Sequence, residues 1–171
     1  MKQLFLIVDC SGSVTNTDKP LVASINDLLR NVVNECAEEA AAIHVVAYAD
    51  GARKLHSYAK DDNYVDIPEE TFGGRSSLGR AYSLLTGLIV AQRVDLSDCV
   101  FALITDGEAT DNYAKRLAKL DPDNKSARIA LCMGRTTDVT QTHASEPDYC
   151  FENGADSEED FVESILDCLY E

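Results

Sequence analysis

Two runs of consecutive apolar residues, Leu4-Phe5-Leu6-Ile7-Val8 and Cys99-Val100-Phe101-Ala102-Leu103-Ile104, carry no polar residue to face solvent. A strand-length run of this kind, partly β-branched and closed by a Gly/Ser turn, reads as a central strand of a parallel sheet covered on both faces. Each run leads into an aspartate, Asp9 in the first and Asp106 of Thr105-Asp106-Gly107 in the second. Open α/β sheets bind ligands at the carboxyl ends of their strands, so function is expected on this edge.

Between these runs the period changes. Leu21, Val22, Ile25, Leu28, Leu29, Val32, Val33 and Cys36 recur at helical spacing, with Pro20 suited to a first turn. Ala42 to Ala49 reads as a strand, and Asp50-Gly51 followed by Ala52 to His56 as a hairpin return, which puts one antiparallel strand at a sheet edge. An acidic, irregular stretch from Asp61 to Phe72 ends in Gly73-Gly74, after which Leu78, Ala81, Leu84, Leu85, Leu88 and Ile89 keep helical spacing. Asp111 to Leu120 reads as helix, Ala127 to Met133 as strand, and Tyr149 to Phe151 as a short strand beyond a polar stretch with Thr136, Thr137 and His143. A last helix is expected from near Ser157, with Glu158, Glu159 and Asp160 at its amino end and Phe161, Ile165, Leu166 and Leu169 as its apolar stripe. Strands and helices alternate throughout, and the economical fold for residues 1–171 is one α/β domain with a doubly wound, mostly parallel sheet and helices on both faces.

Charge excludes several partners. Thirty acidic against 15 basic residues give a net charge of -15, which repels phosphate backbones and anionic lipid surfaces alike. Nucleic acid and membrane are therefore not expected. Met1-Lys2-Gln3 leads straight into a strand, with no cleavage site and no later stretch near the ~18 apolar residues of a membrane span, so a cytoplasmic chain is expected. Cys10, Cys36, Cys99, Cys132, Cys150 and Cys168 form no Cys-x-x-Cys pair and read as small buried hydrophobes.

The chemistry concentrates in three loops: Asp9, Ser11 and Ser13 in the first, Ser76 with Ser77 in the second, Asp106 in the third. In an extended turn, residues 9, 11 and 13 alternate and present their oxygens to one side, while Cys10 faces the core. Oxygen-only ligands select a hard cation, and Mg²⁺, which favours octahedral geometry at ~2.0–2.1 Å, is the first choice, with Mn²⁺ or Ca²⁺ as substitutes. If the hydroxyls bind directly and the aspartates act through waters, the ion keeps much of its charge. A carboxylate from another protein would then complete the octahedron.

The segments Asp9-x-Ser11-x-Ser13, Gly73-Gly74-Arg75-Ser76-Ser77-Leu78-Gly79 and Thr105-Asp106-Gly107 resemble the metal-ion-dependent adhesion site of von Willebrand factor A (VWA) domains. Thr105-Asp106-Gly107-Glu108-Ala109-Thr110-Asp111 brings the chain nearest to the compact bacterial tellurium-resistance (TerY-like) group. The resemblance implies a Rossmann-like fold, a divalent metal held by Asp9, Ser11, Ser13, Ser76 and Asp106, and protein–protein binding without turnover. It further implies a role beside partner enzymes in chemical-stress or phage defence. Ser76 stands where the family usually has threonine, and Arg75 either replaces the second glycine or is inserted after Gly74, in which case Ser77 competes with Ser76 as the ligand. Arg75 itself is expected to pair with a nearby carboxylate.

Rival readings are a Mg²⁺-dependent phosphatase with Asp9 as nucleophile and a metal-free scaffold of the same fold. The first is disfavoured because position 11 is serine where such enzymes carry a second acid. No histidine among His44, His56 and His143 is spaced to serve as a base, and Asp121-Pro122-Asp123-Asn124-Lys125 lacks the glycine of a calcium loop. Glu108 and Asp111 lie near enough to Asp106 to tune the site, or, with Thr110, to cap the helix that follows.

Overall fold

The computed structural model describes residues 1–15, 21–106, 111–134, 147–152 and 155–171. Its elements are β1 (Gln3–Asp9), α1 (Gly12–Thr15), α2 (Val22–Cys36), β2 (Ala42–Tyr48), β3 (Ala52–Tyr58), α3 (Leu78–Gln92), β4 (Cys99–Thr105), α4 (Tyr113–Leu120), β5 (Ala127–Cys132), β6 (Tyr149–Glu152) and α5 (Ala155–Tyr170). The six strands run in the order β3-β2-β1-β4-β5-β6. All neighbours are parallel except β2 and β3, the expected antiparallel hairpin at one edge. This is the doubly wound, mostly parallel α/β sheet read from the sequence.

Alternation along β1 divides the core. Leu4, Leu6 and Val8 pack with Ile25, Leu29 and Val32 of α2 and Phe161 and Ile165 of α5. Phe5 and Ile7 pack on the other face with Leu78, Tyr82 and Leu85 of α3 and Leu117 of α4. Both central strands are buried on both faces, which is why they read as continuous apolar runs. Each fully buried Leu, Ile or Phe contributes about 1.5–3 kcal/mol relative to exposure, so the two-sided core is the main source of stability.

Boundaries differ from the sequence reading where ends fray. β3 runs on to Tyr58, α4 starts at Tyr113 instead of Asp111, and α5 starts at Ala155. Pro20, Gly107 to Thr110, Thr136, Thr137 and His143 lie outside the described residues. The acidic residues Asp61, Asp62, Glu69 and Glu70 are exposed, as solvated loop positions are. All six cysteines are free, five of them buried and Cys150 half-buried.

His44 is structural. Its ring lies 4.8 Å from that of Phe5, with Nδ1 2.7 Å from Ser57 Oγ and Nε2 3.0 Å from Gln3 Oε1. Burial, with a smaller contribution from Lys54, holds its pKa below the ordinary imidazole range. The unfolded chain therefore binds a proton that the folded chain refuses, and stability falls as pH drops below about 6.5. Urea denaturation between pH 7.5 and 5.5 should show this loss, and His44→Gln should remove that part of the slope.

Candidate metal centre

Asp9 closes β1 and sits beside Tyr48 in the β1–β2 register. Its Oδ1 accepts the Ser11 backbone N–H at 2.9 Å. This aspartate turn folds the chain into α1, so residues 9 to 13 are not the extended segment expected from spacing. The hydroxyls still meet, with Ser11 Oγ and Ser13 Oγ 2.9 Å apart. Cys10 points into the opposite core, as alternation requires.

The second loop is stitched to the first by its backbone. Gly73 N–H donates to Cys10 C=O at 2.8 Å, and Gly12 N–H donates to Gly74 C=O at 2.9 Å. Gly74 has φ +85°, and a Cβ there would lie 2.5 Å from Asp50 Oδ2, so only glycine fits. Asp50 Oδ1 accepts the Arg75 backbone N–H at 2.9 Å. The expected Arg75 salt bridge is not formed among the described residues, because the backbone amide takes up this carboxylate oxygen while the side chain stays exposed.

The loop turns Ser76 inward. Ser76 Oγ donates to Asp9 Oδ2 at 3.2 Å, whereas the Ser77 backbone N–H donates to Ala49 C=O at 3.0 Å at the start of α3. Thr105 Oγ1 also donates to Asp9 Oδ2, at 2.9 Å. Asp106, 6% exposed, follows directly on the end of β4.

Two residues of the site were missed by sequence reasoning. Thr105 had a signal, being the polar residue that ends an apolar strand next to β1. Tyr48 had none beyond its place at the end of a buried strand. It is fully buried, and its hydroxyl shares hydrogen bonds with the Thr105 and Ser76 side chains. Burial and then the Asp9 charge hold its pKa well above the usual tyrosine range, so it stays a neutral support beneath the hydroxyls.

Electrostatically the centre is short of positive charge. Burial first, and repulsion from Asp106 second, push the Asp9 carboxyl up to about 6 against the hydrogen bonds from Ser11 and Thr105. Asp9 forms no salt bridge among the described residues, and its partners there are neutral N–H and O–H donors. Two adjoining buried carboxylates ringed by hydroxyls suit a hard divalent cation, which would relieve the repulsion between them. Among the described residues no group of three or more His, Cys, Asp and Glu could hold a metal, and the side-chain oxygens gathered around Asp9 are hydroxyls. A cavity of about 320 Å³ adjoins the first and second loops, lined in part by Cys10, Tyr48, Asp50, Arg53, Glu70 and Gly73.

Asp111 works elsewhere than expected. Its Oδ2 accepts Gly79 N–H at 3.0 Å, so it caps α3, not the helix that follows it in sequence.

The fold is that of the VWA domains. A von Willebrand factor type A structure from Catenulispora acidiphila superposes with a TM-score of 0.66 at 17% identity, over 98% of this chain and 42% of that one. An aerotolerance-related membrane protein from Bacteroides fragilis gives 0.72 at 14% identity over 99% of both chains. The manganese-loaded TRAP protein of Plasmodium vivax gives 0.71 at 14% identity, covering 99% of this chain and 73% of that one. No protein-family model matches the sequence, and no curated protein matches it significantly. Among the described residues no helix is long and apolar enough to cross a membrane.

Proposed function

We infer that this chain is a non-catalytic protein-interaction module that binds a carboxylate of a partner protein through a divalent cation, Mg²⁺ in the first place and Mn²⁺ or Ca²⁺ as substitutes. Asp9, Ser11, Ser13, Ser76 and Asp106 are the residues assigned to hold it. The observation that carries this reading is the convergence on Asp9: Ser76 from the second loop donates to its carboxylate at 3.2 Å, and the paired Ser11 and Ser13 hydroxyls stand beside it, 2.9 Å apart. When bound, the ion would offer a positively charged coordination position to an anionic group. Asp9 orients the first two loops, Ser76 brings in the second, and Thr105 with Tyr48 keep these oxygens fixed from below.

Choosing Ser76 over Ser77 rests on its bond to Asp9. The nucleophile role for Asp9 is disfavoured because its carboxylate is fully buried and both oxygens accept hydrogen bonds. By resemblance to the TerY-like group, the proposed setting is a cytoplasmic stress-response or phage-defence system in which the partner is an enzyme. The manganese in the Plasmodium structure supports metal occupancy in this fold.

The test is a calorimetric Mg²⁺ titration of chelator-stripped protein. One saturable site is expected in the wild type and none in a folded Ser11→Ala, Ser13→Ala variant. No binding by the wild type at millimolar Mg²⁺ overturns the reading in favour of a metal-free scaffold. Hydrolysis of an aryl phosphate that is lost in Asp9→Asn would replace it with the phosphatase.

A further inference from the structure

At the opposite end of the sheet, a groove of about 490 Å³ lies between the carboxyl ends of α3 and α4 and the turn that leads into β4. Val90, Val94 and Leu96 supply apolar lining, and Arg93, Lys119 and Lys125 line the same groove. Val90 is 72% exposed, and all three cations are exposed. Against 30 acidic and 15 basic residues in the chain, three cations around one apolar groove form a local reversal of sign.

The nearby acids offset it only in part. Asp95 lines the groove and stays charged: its Oδ1 accepts from Ser97 N–H at 3.0 Å and Ser97 Oγ at 2.9 Å, and these bonds, with Lys125 nearby, hold its pKa below the usual carboxylate range. Lys125 reaches the exposed Asp123 at 3.7 Å. Arg93 and Lys119 form no salt bridge among the described residues. Cations at helix carboxyl ends are favoured by the helix dipole, which explains Lys119 in the last turn of α4. The dipole does not explain Val90, nor does local geometry explain Arg93, which has φ +55° where a glycine is the natural cap.

We propose that this groove is a second docking site, for an acidic peptide segment of a partner protein that carries an apolar anchoring side chain. Charge complementarity supplies the attraction and the direction of approach, and Val90, Val94 and Leu96 receive the anchor. β4 separates the groove from Asp106 by seven residues, roughly 20 Å at ~3.3 Å per residue. One chain could thus hold two partners at opposite ends of its sheet. This site does not depend on the metal.

The experiment is fluorescence anisotropy with a labelled octapeptide, Glu-Glu-Leu-Glu-Asp-Leu-Glu-Glu, and a second in which both leucines are serine. Wild-type protein in EDTA is expected to bind the first saturably. Affinity should fall at least roughly tenfold for the serine peptide, and as much for an Arg93→Glu, Lys119→Glu variant. Should that variant not fold, Val90→Ser gives the same readout through the apolar contact. Ser11→Ala, Ser13→Ala should bind as wild type does, which separates this site from the metal centre. No saturable binding, or equal binding by the wild type and groove variants, overturns the proposal. A concentration-dependent dimer in sedimentation, lost in the groove variant, would also overturn it by assigning the groove to a second copy of the chain.

Discussion

Saturating Mg²⁺ is expected to raise the melting temperature of the wild-type protein by about 5–10 °C. A ligand at a hundred times its dissociation constant stabilises by about 2.7 kcal/mol, and a domain of this size gains about 2–4 °C per kcal/mol. Asp9→Asn should lose the shift entirely. Without metal the same substitution should not lower stability, because the folded state no longer carries a buried charge facing Asp106. The sign follows from linkage: with the folded pKa raised to about 6, the native carboxyl retains a proton that the unfolded chain has released. This carboxyl's contribution to stability without metal therefore falls as pH rises from about 4 to 6, and the variant should lack that component of the pH dependence. Differential scanning fluorimetry with and without EDTA measures each of these outcomes. A wild-type melting point indifferent to Mg²⁺ would sink the metal reading.

Asp121→Ala is expected to be among the most destabilising single substitutions, at about 3–5 kcal/mol. Asp121 is buried, and its Oδ1 accepts Lys125 N–H at 2.8 Å. Its Oδ2 accepts Ser126 N–H at 2.9 Å and Ser126 Oγ at 2.6 Å. Arg128, also buried, places Nη2 3.7 Å from the same oxygen. Burial opposes the charge on Asp121, but these hydrogen bonds and the guanidinium outweigh it and hold its pKa below the usual carboxylate range. Removing the carboxylate strands two buried amide or hydroxyl donors and deprives Arg128 of that oxygen. Urea denaturation should show a lower midpoint with an unchanged slope. A loss under about 1 kcal/mol would mean that water replaces the carboxylate without penalty.

The same aspartate marks a limit of reading by motif. Its segment was set aside as a calcium loop for want of a glycine, but nothing local announced that the carboxylate turns inward to tie the α4–β5 connection. Asp111 is a parallel case, since proximity in sequence pointed to the helix after it and the fold assigned it to α3. The Arg75 side chain was expected to find a carboxylate, and the backbone amide found it instead.

By itself the sequence determined the succession of strands and helices, the two-sided burial of β1 and β4, the antiparallel hairpin and the edge on which Asp9 and Asp106 fall. Those features follow from side-chain periods and apolar runs, which act over a few neighbouring residues. Only the tertiary structure decided that Ser76 rather than Ser77 reaches Asp9 and that Thr105 and Tyr48 complete the support. The bonds responsible join residues 67 and 96 positions apart. No local pattern encodes such a meeting, because it depends on how β1, β4 and the start of α3 stack once the core has closed.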